Sequence, residues 1–154
     1  MLEKTLIIFK PCAVQRELVG DVLSRFEKKG LRIAGVKMIQ LTDSILAEHY
    51  AHLKDRPFFP RIVASMKASP VIVCCLEGLE AVQVVRNLVG VTNGRNAAPG
   101  TIRGDYSVSG QENIIHASDS VENAKIEINR FFQPEEIFKY TKVNFDFLYA
   151  NDEI

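Results

Sequence analysis

The chain has no surplus of charge, no long hydrophobic run and very little cysteine, and each lack removes a class of function. Nineteen Lys and Arg balance nineteen Asp and Glu, for a formal net charge of zero. A protein that binds nucleic acid or an anionic membrane through its overall field is thereby excluded, and any anionic partner must be met locally. No apolar stretch approaches the roughly twenty residues that span a bilayer, and Glu3 and Lys4 precede only a short strand rather than a secretory leader. The expectation is a cytoplasmic protein. The three cysteines, Cys12, Cys74 and Cys75, leave at least one unpaired, and Cys74 and Cys75 are strand neighbours that point to opposite faces. All three read as reduced thiols, and no Cys/His spacing resembles a zinc site. Neither G-x-x-x-x-G-K-[ST] nor G-x-G-x-x-G occurs, so side chains must do the work of a backbone phosphate cradle.

What is present suits one compact domain of 154 residues with its own core. Thr5-Leu6-Ile7-Ile8-Phe9 reads as a buried central strand, ended by Lys10 and Pro11. Val19, Val22, Leu23 and Phe26 have helical spacing, with Gly30 as the C-cap. Residues 31–41 suit a second strand. Thr42 or Asp43 then caps a helix running to about Leu53, and a shorter helix begins at Pro60, making a paired-helix arm. His49 and His52 are expected as solvated residues of that arm. Pro70 opens the most apolar strand, Val71 to Leu76, and Ala81 to Leu88 returns to helical spacing with Arg86 on a different side from Val82 and Val85. No internal repeat interrupts this order.

The order β, α, β, paired helices, β, α, then a last strand and helix implies an α+β fold. The architecture expected is a ferredoxin-like sandwich, a four-stranded antiparallel sheet with helices packed on one face. Residues 90–110 have no sustained period but carry Ala97, Ala98 and Ile102 beside their Gly and Pro, which favours an ordered, functional loop. Residues 133–154 form a tail holding Phe138, Tyr140, Phe145, Phe147 and Tyr149, too apolar for water and too irregular for a core element. Such a tail should pack across the body or onto another subunit.

Asn113-Ile114-Ile115-His116-Ala117-Ser118-Asp119-Ser120 puts a histidine at a strand tip that feeds a helix. Ser120 and Asp119 suit its first-turn amides, and Glu122 suits the positive end of its dipole. The helix should run from Val121 to Phe132 with Ala124, Ile128 and Phe131 toward the core. Glu127 lies on that same face, and a carboxylate among apolar neighbours needs a partner, for which His116 is the best-placed donor. Taken alone, His116 is better explained as a satisfied core or surface histidine. Lys10, Arg86, Thr92, Arg103 and Asn113, converging on the same sheet edge, would turn it into a polyphosphate site, since guanidinium forks match phosphate oxygens.

Four stretches together carry a family resemblance: Lys10-Pro11, Arg56-Pro57-Phe58-Phe59, Ala98-Pro99-Gly100-Thr101-Ile102-Arg103-Gly104-Asp105, and Asn113 through Ser120. In this order they resemble nucleoside diphosphate kinase, with similarity from Lys4 to about Lys139. The resemblance implies that His116 takes the γ-phosphoryl group of a nucleoside triphosphate and passes it to a diphosphate, with Glu127 and Ser118 orienting its ring. It implies that Lys10, Tyr50, Arg86, Thr92, Arg103 and Asn113 hold phosphates and sugar, that Phe58 stacks on the base, and that Ile62 borders the nucleotide pocket. Mg²⁺ is implied, carried mainly on the nucleotide phosphates, as is a homohexamer or a tetramer. The chain departs from the family where it has Cys12-Ala13 for the common Asp-Gly, Gly94 for Pro, and Gly110-Gln111-Glu112 for Val-Gly-Arg. Ferredoxin-like sheets also serve as RNA-recognition modules, but those need aromatics on central strands that here carry Ile, Val and Cys.

Overall fold

Strand β1 (Leu2–Phe9) lies inside the sheet, and its five residues from Thr5 to Phe9 are fully buried. In the computed structural model, which describes residues 1–154, it pairs antiparallel with β3 (Val71–Leu79) on one side and with the short β4 (Ile115–Ala117) on the other. Strand β2 (Arg32–Ile39) pairs with β3, giving the order β2-β3-β1-β4 in a four-stranded sheet. This is the expected antiparallel α+β sandwich. A bulge between Ile33 and Gly35 shifts the β2 register.

Because strand side chains alternate, one sheet separates two cores. Ile7, Phe9 and Cys74 face a layer built from α2 (Val19–Lys29) and α5 (Ala81–Val89), through Val22, Phe26 and Val85. Leu6, Ile8 and Cys75 face the other way, toward α3 (Asp43–His49), α4 (Phe59–Lys67) and α7 (Val121–Phe131), through Leu46, Met66 and Ile128. The expectation of helices on one face is therefore corrected. A continuous apolar run such as Leu6 to Phe9 has no polar side to leave in water and calls for cover on both faces.

The element ends follow local chemistry. Gly30 closes α2 in the left-handed conformation, φ +109°, after two lysines that suit the negative end of the dipole. Thr42 caps α3 through its hydroxyl, but that helix stops at His49, and residues 51–53 make a separate turn instead of continuing it. A short helix absent from the sequence reading, α1 (Pro11–Gln15), follows β1 directly, with Pro11 at its first position where no amide is needed. Ser120 caps α7 by accepting from the Asn123 amide, whereas Asp119 bonds only the Asn123 side chain.

The segment between α5 and β4 is ordered around a single turn at Gly94–Asn96 and a short helix, α6 (Ile102–Tyr106), which Thr101 caps through the Gly104 amide. The tail packs across the body at several points. Arg32 donates to the carbonyls of Phe138 and Tyr140 and is itself paired with Glu77, Tyr140 bonds the Ile33 carbonyl, and the Tyr149 hydroxyl accepts from the Leu79 amide. Phe147 and Val143 stay exposed.

Gly104 is the tightest point of the loop that carries Arg103. A Cβ there would lie 1.9 Å from the Ala98 carbonyl oxygen, which belongs to backbone and cannot swing away. Gly104→Ala should cost at least about 2 kcal/mol and lower the melting temperature by about 4–8 °C, measured by urea and thermal unfolding. An unchanged midpoint would mean that this turn is not packed as described.

Candidate active site

A cleft of about 1440 Å³ opens beside β4 and is lined by residues from the end of β1, the α3–α4 arm, α5, the loop before β4, β4 and α7. His116 stands at the centre of β4, opposite Ile8. It follows a turn in which Ile114, a β-branched residue, adopts φ +75° while the Ile115 amide reaches the Asn113 carbonyl at 2.8 Å. That conformation is strained for such a residue, costing on the order of 1–3 kcal/mol, and strain of this kind gathers where geometry is functional.

Glu127 reaches down from α7 and holds two partners at once. Its Oε2 lies 2.9 Å from His116 Nε2 and its Oε1 accepts from Ser118 Oγ at 2.5 Å. Burial pushes the Glu127 carboxyl up, but hydrogen bonds and charge from His116, then Ser118 and His49, outweigh it and hold the group below the usual carboxylate range. With Nε2 engaged by a carboxylate, Nδ1 is the ring nitrogen left to react. Ser118 is buried behind Glu127 and also contacts β1, where it meets the Leu6 amide.

Two of the cations, Lys10 and Arg103, are held by neutral oxygens. Lys10 Nζ donates to Asn113 Oδ1 at 2.6 Å and to the Gln111 carbonyl at 3.2 Å. Asn113 is fixed in turn by donating to the Thr92 and Gly110 carbonyls. Arg103 spreads its guanidinium over the carbonyls of Asn113, Gly90 and Ile115. Burial, then the like charge of Arg103, depresses Lys10 to about 8, and burial together with Arg86 depresses Arg103 to about 10. Three cations with no carboxylate bonded to Lys10 or Arg103 form a site that an anion would relax.

Lys10 from the end of β1, Arg86 from α5, Thr92, Arg103 and Asn113 from the segment between α5 and β4, and His116 from β4 thus line one cleft. Tyr50, Phe58 and Ile62 line the same cleft from the α3–α4 arm, with Phe58 at its exposed rim. A model of the family described as nucleoside diphosphate kinase matches residues 3–137. The chain belongs to the nucleoside diphosphate kinase family. A nucleoside diphosphate kinase of Parabacteroides distasonis is 66% identical over 152 residues, covering 99% of both chains. Human nucleoside diphosphate kinase A is 47% identical over 147 residues, 96% of this chain and 97% of that one. Among solved structures, a halophilic nucleoside diphosphate kinase from Halobacterium salinarum, in complex with CDP, superposes with a TM-score of 0.94 at 38% identity, over 97% of this chain and all of that one. Membership of the nucleoside diphosphate kinase family carries the reaction class, phosphoryl transfer between nucleotides.

One expectation is overturned. His52 is exposed, but His49 is only 8% exposed and packs edge-on against the His116 ring, with centroids 4.6 Å apart. Its Nδ1 meets Arg130 Nη1 at 2.9 Å and lies 3.7 Å from Glu127 Oε2. The sequence places neither His49 nor Arg130 at the site, although His49 stands one helical turn from the buried Leu46 and Arg130 one turn beyond Glu127. His49, His116 and Glu127 bring ligand-type atoms within 4.8 Å of one another. Both Glu127 oxygens are engaged and a guanidinium faces His49, so these groups are wired as a hydrogen-bond chain instead of a metal centre. One of the departures from the family, Gly110-Gln111-Glu112, lies here: Gln111 exchanges hydrogen bonds with Arg61, and Glu112 accepts from Ser65, tying the loop before Asn113 to α4.

The depressed Lys10 makes binding sensitive to alkali. Its charged form attracts phosphate, so nucleotide KM should rise as pH climbs through about 8. The rise should approach tenfold per pH unit at most, roughly, until the bound lysine also loses its proton. Lys10→Gln should show a higher KM at pH 7 and no such rise. A wild-type KM flat from pH 7 to 9 would contradict this account.

Proposed function

We propose that the chain transfers γ-phosphoryl groups from nucleoside triphosphates to nucleoside diphosphates by a ping-pong route through a phosphohistidine on His116. The observation that carries this reading is the Glu127 carboxylate on His116 Nε2, in a cleft whose phosphate-facing side chains are cations. Neutral imidazole is a nucleophile near pH 7, and dividing the transfer in two lets one site serve donor and acceptor in turn. Nδ1 attacks the γ-phosphorus while the bond to the bridging oxygen breaks, and the diphosphate leaves with that electron pair. The proton on Nε2 stays, and Glu127 meets the positive charge that develops on the ring. A terminal oxygen of the second diphosphate then attacks the phosphorus while the P–Nδ1 bond breaks, and Nδ1 takes back its electron pair, leaving the neutral ring with its proton on Nε2.

Lys10, Arg86 and Arg103 meet the charge on the transferring group, while Thr92, Asn113 and Tyr50 hold phosphates and sugar. Ser118 steadies Glu127. Phe58 stacks on the base beside Ile62, and because every base has a π-face, base specificity is broad. The phosphate end of the cleft offers cations instead of a carboxylate cage, so it fits Mg²⁺ only as a nucleotide complex. Carried in on the phosphates, such an ion would supply neutralisation of phosphate charge, with Lys10, Arg86 and Arg103 facing the same oxygens. The protein acts as a single domain with its 133–154 tail, in the cytoplasm, as a homohexamer or, second, a tetramer; exposed Val36, Met38, Val143 and Phe147 are apolar surface consistent with assembly. No helix is long and apolar enough to cross a membrane.

With γ-labelled ATP and no acceptor, the wild type should acquire an acid-labile, base-stable phosphoryl group, and His116→Ala should acquire none. Label persisting in that variant would sink the proposal. Arg103→Ala should lower kcat by about a hundredfold while KM changes little, because its cation matters most as charge shifts in the transition state. An unchanged kcat with only a raised KM would move Arg103 into simple binding. In sedimentation, the chain should run as an oligomer, and a stable monomer would contradict the assembly.

A further inference from the structure

The reading above leaves His49 and Arg130 without a task, although both touch the catalytic constellation. His49 is buried, so its imidazole is neutral: burial, then the charge of His116, brings it down to about 3, with Glu127 opposing and Arg130 adding to the shift. A neutral imidazole carries one proton, and its place is set by the neighbours of each nitrogen. Arginine has only donors. Its contact with His49 Nδ1 at 2.9 Å therefore makes that nitrogen the acceptor and puts the proton on Nε2. The guanidinium is also ion-paired with the exposed Glu48, Nε lying 3.2 Å from Oε1 without making a hydrogen bond to it.

His49 Nδ1 also lies 3.7 Å from Glu127 Oε2, the same oxygen that meets His116 Nε2 at 2.9 Å. Were Nδ1 protonated, His49 would become a second donor to that oxygen. It would draw charge from the carboxylate and pull it toward α3, loosening the contact that keeps the His116 proton on Nε2. The acceptor state of His49 removes that competitor.

We propose that Arg130 is a positioning residue that locks His49 in its Nε2–H tautomer and thereby reserves Glu127 for His116. The proposal rests on His116 as the nucleophile for its kinetic consequence, but the tautomer itself can be observed without any reaction. In ¹⁵N-labelled protein free of nucleotide, long-range histidine spectra should show His49 as the Nε2–H tautomer in the wild type and as Nδ1–H in Arg130→Leu. Single-turnover formation of phosphohistidine from ATP should be slower in Arg130→Leu by roughly tenfold, at the low end of what a lost orienting partner costs, with the nucleotide Kd unchanged. Arg130→Lys, which still donates, should recover part of the rate. In the double variant Arg130→Leu with His49→Phe there is no imidazole left to compete, so its rate should exceed that of Arg130→Leu alone.

An Nδ1–H tautomer of His49 in the wild type would overturn the lock, as would a double variant no faster than Arg130→Leu. A rate equally low in Arg130→Lys and Arg130→Leu would reduce Arg130 to packing and overturn it too. A wild type that forms no phosphohistidine would instead defeat the reading of His116, while the tautomer measurement would still decide the lock.

Discussion

The contact between Glu127 and His116 is the constraint around which the molecule is arranged. A carboxylate placed on a helix face among Ala124, Ile128 and Phe131 is costly to desolvate, and the fold accepts that cost by giving each oxygen a donor. One donor comes from β4 and the other from the residue two places on, so α7 and β4 cannot be moved independently. The cap at Ser120 fixes where α7 begins, the pairing of His116 with Ile8 fixes where β4 lies, and the carboxylate spans the gap. The ring is oriented by the same interactions that hold the last strand and helix together.

Much of this was legible in the sequence because it depends on short-range pattern. The buried strand, the glycine at the end of α2 and the inward face of α7 each follow from spacing and capping alone. Glu127 could be paired with His116 because both belong to one strand-to-helix unit. His49 could not be placed in the same way. Glu48 and His52 flank it on a helix that the sequence extends through residue 53, and this polar company masks the turn relation to Leu46. What buries His49 is the approach of α7 from the other end of the chain, carrying Phe131 and Arg130 against it, and such an approach leaves no mark on local periodicity.

The two-sided sheet shows the same limit. Alternation along β1 places Ile7 and Phe9 against Leu6 and Ile8, but which helices cover each face depends on the path of the chain. The paired-helix arm, α3 and α4, lies beside α7 on the second face, where Leu46 and Met66 share a core with Ile128. That position is also what brings Tyr50, Phe58 and Ile62 to the cleft. A layer needed to cover apolar strand residues thus supplies one wall of the cleft.

The phosphate end depends on a different economy of charge. Lys10 and Arg103 are anchored by carbonyls and an amide, groups that fix position without cancelling charge, and Asn113 links them, since its side chain holds Lys10 and its carbonyl holds Arg103. The strained turn at Ile114 directs both groups of Asn113 in this way immediately before the β4 strand begins. Carboxylate partners would have stabilised the empty cleft, but they would also have to be displaced or overcome by every incoming phosphate. Neutral anchoring leaves the repulsion among the cations to be relieved by the ligand, so that field strength is available where negative charge arrives and shifts. A site built on that principle favours an anion over a neutral ligand, and Phe58 adds only a phenyl face at its rim.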